Sequence, residues 1–201
     1  MPSVFLVSDT HFGHAGVCRF LRNDGSKLRP WTDPNEMDEA MVNAWNERVK
    51  PTDKVYHLGD VVINRKALST LRRLNGDKVL IRGNHDIFRD DEYRQYFREL
   101  RAYHVMNGMI LSHIPVHSDS LGRFGVNIHG HLHSNRVRKA RGIDAKTGEI
   151  LYSDEIDTRY HCVCVEQTPD FAPILFEDVI KRIEAEGGIV GFKNGNAPLV
   201  D

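Results

Sequence analysis

Cysteine is scarce in this chain of 201 residues. There are three, Cys18, Cys162 and Cys164, an odd number without C-x-x-C spacing. That excludes a disulfide framework and a paired-cysteine zinc or redox site, and the thiols are expected to be reduced and in the core. Long apolar runs are also missing: no stretch approaches the roughly 18 residues of a membrane span. Met1-Pro2-Ser3 leads straight into an apolar strand with no basic stretch before it, so neither a signal peptide nor a membrane contact is expected, and the cytoplasm is the expected compartment. An excess of charge of one sign is lacking too. With 27 basic and 28 acidic side chains and a formal net charge of −1, no global field draws the molecule to nucleic acid or lipid, and any attraction to polyanions must be local. Internal repeats, low-complexity tracts and linkers are absent.

What is present is a chain that is 40% hydrophobic, enough to bury the core of one domain. Residues 1–188 are read as that domain and 189–201 as a C-terminal tail. Short apolar runs at Val4–Val7, Val55–Leu58, Val79–Ile81 and Met109–Leu111 read as buried strands, with helical stretches between several of them. Asp33-Pro34 is a good helix start, followed by Met37, Ala40, Met41, Ala44 and Trp45 at three- and four-residue spacing. Leu68, Leu71 and Leu74 predict a second helix that stops at Asn75-Gly76, and Tyr93, Tyr96, Phe97 and Leu100 a third. A last helix is predicted over Phe176–Glu186, with Val179, Ile180 and Ile183 inward and Gly187-Gly188 as its stop. Val126–His129, Glu149–Tyr152 and His161–Val165, with a turn at Lys146-Thr147-Gly148, predict hairpins and a second sheet. Strands alternating with helices, then strands clustered together, fit an α/β sandwich: two stacked mixed sheets flanked by helices, αββα.

Five short polar blocks each close one of these apolar runs: Ser8-Asp9-Thr10-His11, Gly59-Asp60, Gly83-Asn84-His85-Asp86, Ser112-His113 and Gly130-His131-Leu132-His133. Taken singly they are common turn dipeptides and ordinary histidines. Taken in order, they place carboxylate, imidazole and amide groups at strand ends, where they can converge. Such donors suit divalent transition metals better than calcium. The glycines let the backbone turn sharply beside the ligands.

These blocks resemble, in order and with every block intact, those of the calcineurin-like metallophosphoesterase superfamily. The resemblance runs from about Val4 to Val165, and the flanking stretches Phe12-Gly13-His14 and Val55-Tyr56-His57-Leu58 are similar to its small bacterial and phage branch of predicted phosphoesterases. It implies that Asp9, His11 and His133 bind one metal, that Asn84, His113 and His131 bind a second, and that Asp60 bridges them. It further implies that His85 stands beside the leaving group as a proton donor, and that Asp86 orients His85 through a hydrogen bond. Asp86 also reads as a helix N-cap. The implied cofactors are two divalent ions, with manganese the working choice and iron, zinc, nickel or cobalt as alternatives.

Outside the blocks, His14 and His117 are candidates for contact with a substrate phosphate. Arg82 is a third, through bidentate guanidinium contacts, although a surface arginine at a strand end is the plainer reading. The basic run Arg136, Arg138, Lys139 and Arg141 either borders the site or forms a solvated hairpin face. His57 is expected to pack within its strand.

The implied activity is hydrolysis of a phosphoester by a metal-bridging hydroxide, with a small nucleotide-like phosphodiester favoured because no large cap or recognition insertion is visible. A DNA or RNA nuclease is the alternative. A protein phosphatase and a non-catalytic metal-binding scaffold stand behind it, the scaffold opposed by the full set of ligand positions. No obligate protein partner is expected, and a homodimer through an edge strand or the last helix stays open.

Overall fold

Side chains on successive strand residues point to opposite faces, and in the computed structural model, which describes residues 2–188 and 190, that alternation builds two cores. The first sheet has the order β11-β1-β2-β3-β4 and the second β10-β7-β6-β5. In the first, β1 (Val4–Val7), β2 (Lys54–His57), β3 (Asp77–Ile81) and β4 (Glu99–Arg101) run parallel, and β11 (Ile174–Leu175) lies antiparallel on β1. In the second, β6 (Met109–Ser112), β7 (Asn127–His129) and β10 (Tyr160–Cys162) are parallel, with β5 (His104–Met106) antiparallel at the edge.

Phe5, Val7, Val55 and Leu80 point away from the second sheet and bury against Met37, Met41, Val42 and Trp45 of α1 (Pro34–Arg48). Leu6, Tyr56, Val79 and Ile81 point the other way and meet Met109, Leu111 and Ile128 across the sheet interface, where Val179 and Ile183 of α3 (Phe176–Ala185) also pack. At about 25 cal/mol per Å² of apolar area removed from water, these two layers are the main favourable term in folding. The fold is the expected α/β architecture of two stacked mixed sheets with helices.

Local chemistry sets the helix ends. The Asp33 carboxylate accepts the Asn35 N–H at 2.9 Å and Pro34 occupies the first helical turn, while Gly187 at φ +82° follows the end of α3. Three expectations are corrected. The second helix is a 3₁₀ segment, Arg65–Arg73; a leucine at every third position is the period of a 3₁₀ turn, not of an α-helix. The third shrinks to one turn, α2 (Asp90–Tyr93), because Leu100 is drawn into β4 opposite Leu80 of β3. Residues 149–152 do not join the second sheet: β8 (Arg138–Ile143) and β9 (Ile150–Ile156) pair only with each other, as a separate exposed ribbon. All three cysteines are buried and free. Among the described residues no helix is long and apolar enough to cross a membrane. The expected tail 189–201 lies, except for Val190, outside the described residues.

Candidate metal centre

The carboxyl ends of parallel strands in both sheets open on one side, and each polar block lies just beyond one of them. Asp9 and His11 follow β1, Asp60 follows β2, Asn84 follows β3, His113 follows β6, and His131 and His133 follow β7. Positive φ is rare for residues with a side chain, yet Asp9, His11, Asp60, His131 and His133 all have it, at +59°, +49°, +57°, +69° and +52°. They are five of the eight such non-glycine residues described. Strain of this kind persists only where the surroundings over-determine it. Here the Asp9 N–H donates to the Gly59 carbonyl (2.9 Å), the His11 N–H to the Asp60 carbonyl (3.1 Å) and the His131 N–H to Asp9 Oδ2 (2.8 Å).

The two oxygens of Asp9 differ. Oδ2 accepts from the Ser8 hydroxyl at 2.5 Å, the His131 N–H and the Cys164 thiol at 3.1 Å. Oδ1 is buried with no hydrogen-bond partner, and lies 3.8 Å from His11 Nε2 and 4.0 Å from His133 Nε2. Gly130 permits this crowding, since a Cβ there would stand 2.0 Å from Ser8 Oγ and 2.5 Å from Asp9 Oδ2. His133 Nδ1 faces Glu166 Oε1 at 3.1 Å, which places the proton on Nδ1 and the lone pair on Nε2, toward Asp9.

The second cluster is built alike. His113 Nδ1–H donates to the Leu58 carbonyl at 2.8 Å, so Nε2 turns its lone pair toward Asn84 Oδ1 at 2.9 Å and Asp60 Oδ2 at 3.4 Å. His131 Nδ1 is also 2.9 Å from Asn84 Oδ1. A neutral imidazole facing two oxygens needs a cation or a proton between them. Asp60 joins the halves: Oδ1 is held by the His85 N–H at 2.9 Å, while Oδ2 is 3.7 Å from His11 Nε2 in the first cluster.

Electrostatics agrees. Burial pushes the Asp60 carboxyl up, but His113 and the His85 N–H outweigh it and hold it at about 2. Burial alone would lower His113 and His133, yet Asp60 and Glu166 respectively raise them, whereas burial first and then Arg29 lower His11. Histidine and carboxylate bonds to such metals are about 2.0–2.2 Å, so donors up to about 4.2 Å apart can share one ion. The orphaned Asp9 oxygen, the inward lone pairs and these separations fit two metal sites, Asp9–His11–His133 and Asp60–His113–His131, with Asn84 beside the latter.

The model of the family described as calcineurin-like phosphoesterase matches residues 2–182. The chain belongs to that family. An uncharacterized protein of Methanocaldococcus jannaschii is 32% identical over 188 residues, 92% of this chain and 93% of the relative. A solved protein of unknown function from Aquifex aeolicus shares the fold, with a TM-score of 0.60 and 24% identity over 90% of this chain and 100% of that one. A novel archaeal phosphodiesterase is more distant, at a TM-score of 0.39 and 16% identity over 75% and 98% of the two chains. Calcineurin-like phosphoesterases are metal-dependent hydrolases of phosphoesters, and the two clusters are the candidate seat of that dependence in this one.

Around the centre of this phosphoesterase, His85 is exposed, with its ring 5.6 Å from that of His11. His14 is half-buried, its ring also 5.6 Å from that of His11. The expected Asp86–His85 hydrogen bond is replaced by another arrangement. Asp86 is buried and its carboxylate accepts the N–H groups of Asp60 (2.8 Å), Gly83 (2.8 Å) and Val61 (3.1 Å). Arg82 turns away from the clusters to Asp90 and the carbonyls of Asp86 and Phe88, though its side chain also lines a cleft with Asn84 and His113. His117 is exposed, caps the turn at Ser118–Arg123 and faces Asp119, not the centre. In the basic run, Arg136 pairs with Glu186, and Arg138 and Lys139 pair across the ribbon with Asp154 and Glu155. His57 is fully buried, with Nε2 3.0 Å from Thr10 Oγ1.

Two residues of the centre were missed, Arg29 and Glu166. Glu166 had a usable signal, as an acid just past the apolar run His161–Val165, the position Asp9 and Asp60 occupy on their strands. Arg29 had none, since a lone arginine in a loop reads as surface.

Proposed function

We propose that this phosphoesterase is dinuclear, works with manganese, and cleaves a phosphodiester of a small nucleotide-like molecule. The observation that carries the reading is Asp60 Oδ2, 3.7 Å from His11 Nε2 and 3.4 Å from His113 Nε2, one oxygen shared between two donor sets. Asp9, His11 and His133 would hold one ion, Asn84, His113 and His131 the other, with Asp60 between. When bound, such a pair neutralises phosphate charge and lowers the pKa of water toward about 7. The protein's own groups do the rest. His85, exposed at the lip with its main chain tied to Asp60 Oδ1, gives a proton from its imidazole to the departing oxygen. His14, its ring 5.6 Å from that of His11, donates to a non-bridging phosphate oxygen. Arg82 acts indirectly, by holding the loop that follows His85. Two of the ribbon's cations, Arg138 and Lys139, are paired with Asp154 and Glu155, which favours a small substrate over a nucleic-acid strand. The three buried free thiols suit a reducing cytoplasm.

The test compares metal-free and Mn²⁺-loaded protein on bis-p-nitrophenyl phosphate and p-nitrophenyl phosphate. Metal-dependent turnover favouring the diester, lost about 10²-fold or more in Asp60→Asn and His85→Ala, is the expected result. Turnover unchanged in those variants, or none with manganese, iron, zinc, nickel or cobalt, would overturn the proposal.

A further inference from the structure

Arg29 and Glu166 are 137 positions apart in sequence, and both side chains are wholly shielded from solvent. Arg29 Nε and Nη2 donate to Glu166 Oε1 at 2.8 and 2.7 Å. The same guanidinium donates to the carbonyls of Asp9 at 2.6 Å and Thr10 at 2.8 Å, and Glu166 Oε1 also accepts from His133 Nδ1 at 3.1 Å. A buried ion pair is often no more stabilising than apolar side chains of similar volume, so this one calls for a reason beyond stability. Its contacts supply one. They reach both segments that carry the first cluster: the 9–11 turn, whose positive φ at Asp9 and His11 must be held from outside, and the His133 ring, whose tautomer the carboxylate sets. They make no direct contact with the second cluster, which has supports of its own in the Leu58 carbonyl at His113 and the Asp86 carboxylate at Asp60 and meets the first through the His131 N–H on Asp9 Oδ2 and the His11 N–H on the Asp60 carbonyl.

We infer that Arg29 and Glu166 form a positioning pair dedicated to the first metal site, orienting its three ligands and leaving the second site to separate supports. This rests on the dinuclear reading above. Hydrogen-bond partners of metal ligands are typically worth 10–100-fold in metal affinity, and here the effect falls on one site of two. Glu166 also offsets the Arg29 charge, which would otherwise oppose a cation at that site.

The test is a Co²⁺ titration followed by visible absorption, in two backgrounds. His113→Asn keeps the first cluster and His11→Asn keeps the second. Adding Glu166→Gln is expected to weaken cobalt binding about 10–100-fold in the His113→Asn background and less than about threefold in the His11→Asn background. The double change Arg29→Met with Glu166→Gln leaves no unpaired buried charge. It is expected to show the same asymmetry while remaining folded by circular dichroism. Equal losses in both backgrounds, or no loss in either, would overturn the inference even if the wild type binds two cobalt ions. A wild type that binds none would overturn the dinuclear reading and the inference with it.

Discussion

Asp86 Oδ2 accepts the backbone N–H of Asp60 at 2.8 Å. The aspartate two positions past Asn84 is thus tied to the loop of the Asp60 carboxylate, 26 positions away. It also accepts from Gly83 and Val61, and so fixes two strand ends against each other. Asp86→Asn puts amide hydrogens where acceptors are needed, and the expected cost is about 2 kcal/mol or more in urea unfolding. His85→Ala, at an exposed position, is expected to stay within about 0.5 kcal/mol of wild type. Wild-type stability for Asp86→Asn would remove this bracing role and restore the view of Asp86 as a partner for His85.

Gly130→Ala places a methyl group 2.0 Å from Ser8 Oγ and 2.5 Å from Asp9 Oδ2. The expected outcome is a lower melting temperature together with loss of one of two bound metal ions, because the carboxylate must move. Gly122→Ala meets nothing within 4 Å and serves as the control, expected within about 0.5 kcal/mol of wild type. Full metal loading in Gly130→Ala would contradict the packing described.

Acid should weaken the metal-free protein well above the carboxylate range. Burial lowers His57 to about 3 and His129 to about 4, from 6.5. Below pH 6.5 the unfolded chain binds protons that these buried rings refuse, so stability falls as pH drops toward 4 and 3, by up to about 1.4 kcal/mol per pH unit for each ring. Thermal melts of the metal-free protein between pH 7 and 4.5 read this slope directly. A His57→Gln variant should melt lower at pH 7 yet show a shallower slope, and an unchanged slope would mean that His57 is not the group refusing the proton.

The β8–β9 ribbon is dispensable to the centre on this account. Its base is closed by the Asp157 N–H donating to the Val137 carbonyl at 2.9 Å, so a two-residue turn can replace residues 138–156. The pairs Arg138–Asp154 and Lys139–Glu155 are exposed and worth little. Wild-type cobalt stoichiometry and affinity are expected in the shortened protein, and loss of either would give the ribbon a part in the site.

Most of the candidate metal centre was legible in the sequence because its donor residues sit in short blocks at the ends of apolar runs, where strand direction dictates convergence. The strand ends marked the five polar blocks without any knowledge of sheet order, and the family resemblance picked Asp9, His11, Asp60, Asn84, His113, His131 and His133 out of them. What escaped depends on contacts across the fold. Asp86 looked like a partner for its neighbour His85 until β2 and β3 were seen side by side. Arg29 and Glu166 acquire meaning only when the first loop crosses the end of β10. The short edge strands were hidden for a simpler reason: Glu99-Leu100-Arg101 and His104-Val105-Met106 carry too few apolar residues to announce a strand, and pairing with β3 and β6 makes them strands. Tyr93, Tyr96, Phe97 and Leu100 gave a helical spacing that stops after one turn, because pairing with β3 takes Leu100 into β4.

The most direct test of the central claim is anomalous X-ray scattering at the manganese edge from crystals grown with Mn²⁺. Two peaks are predicted, one among Asp9, His11 and His133 and one among Asn84, His113 and His131, with the Asp60 carboxylate between them. A single peak lying outside these residues, or none, would contradict the assignment of this chain as a dinuclear phosphoesterase.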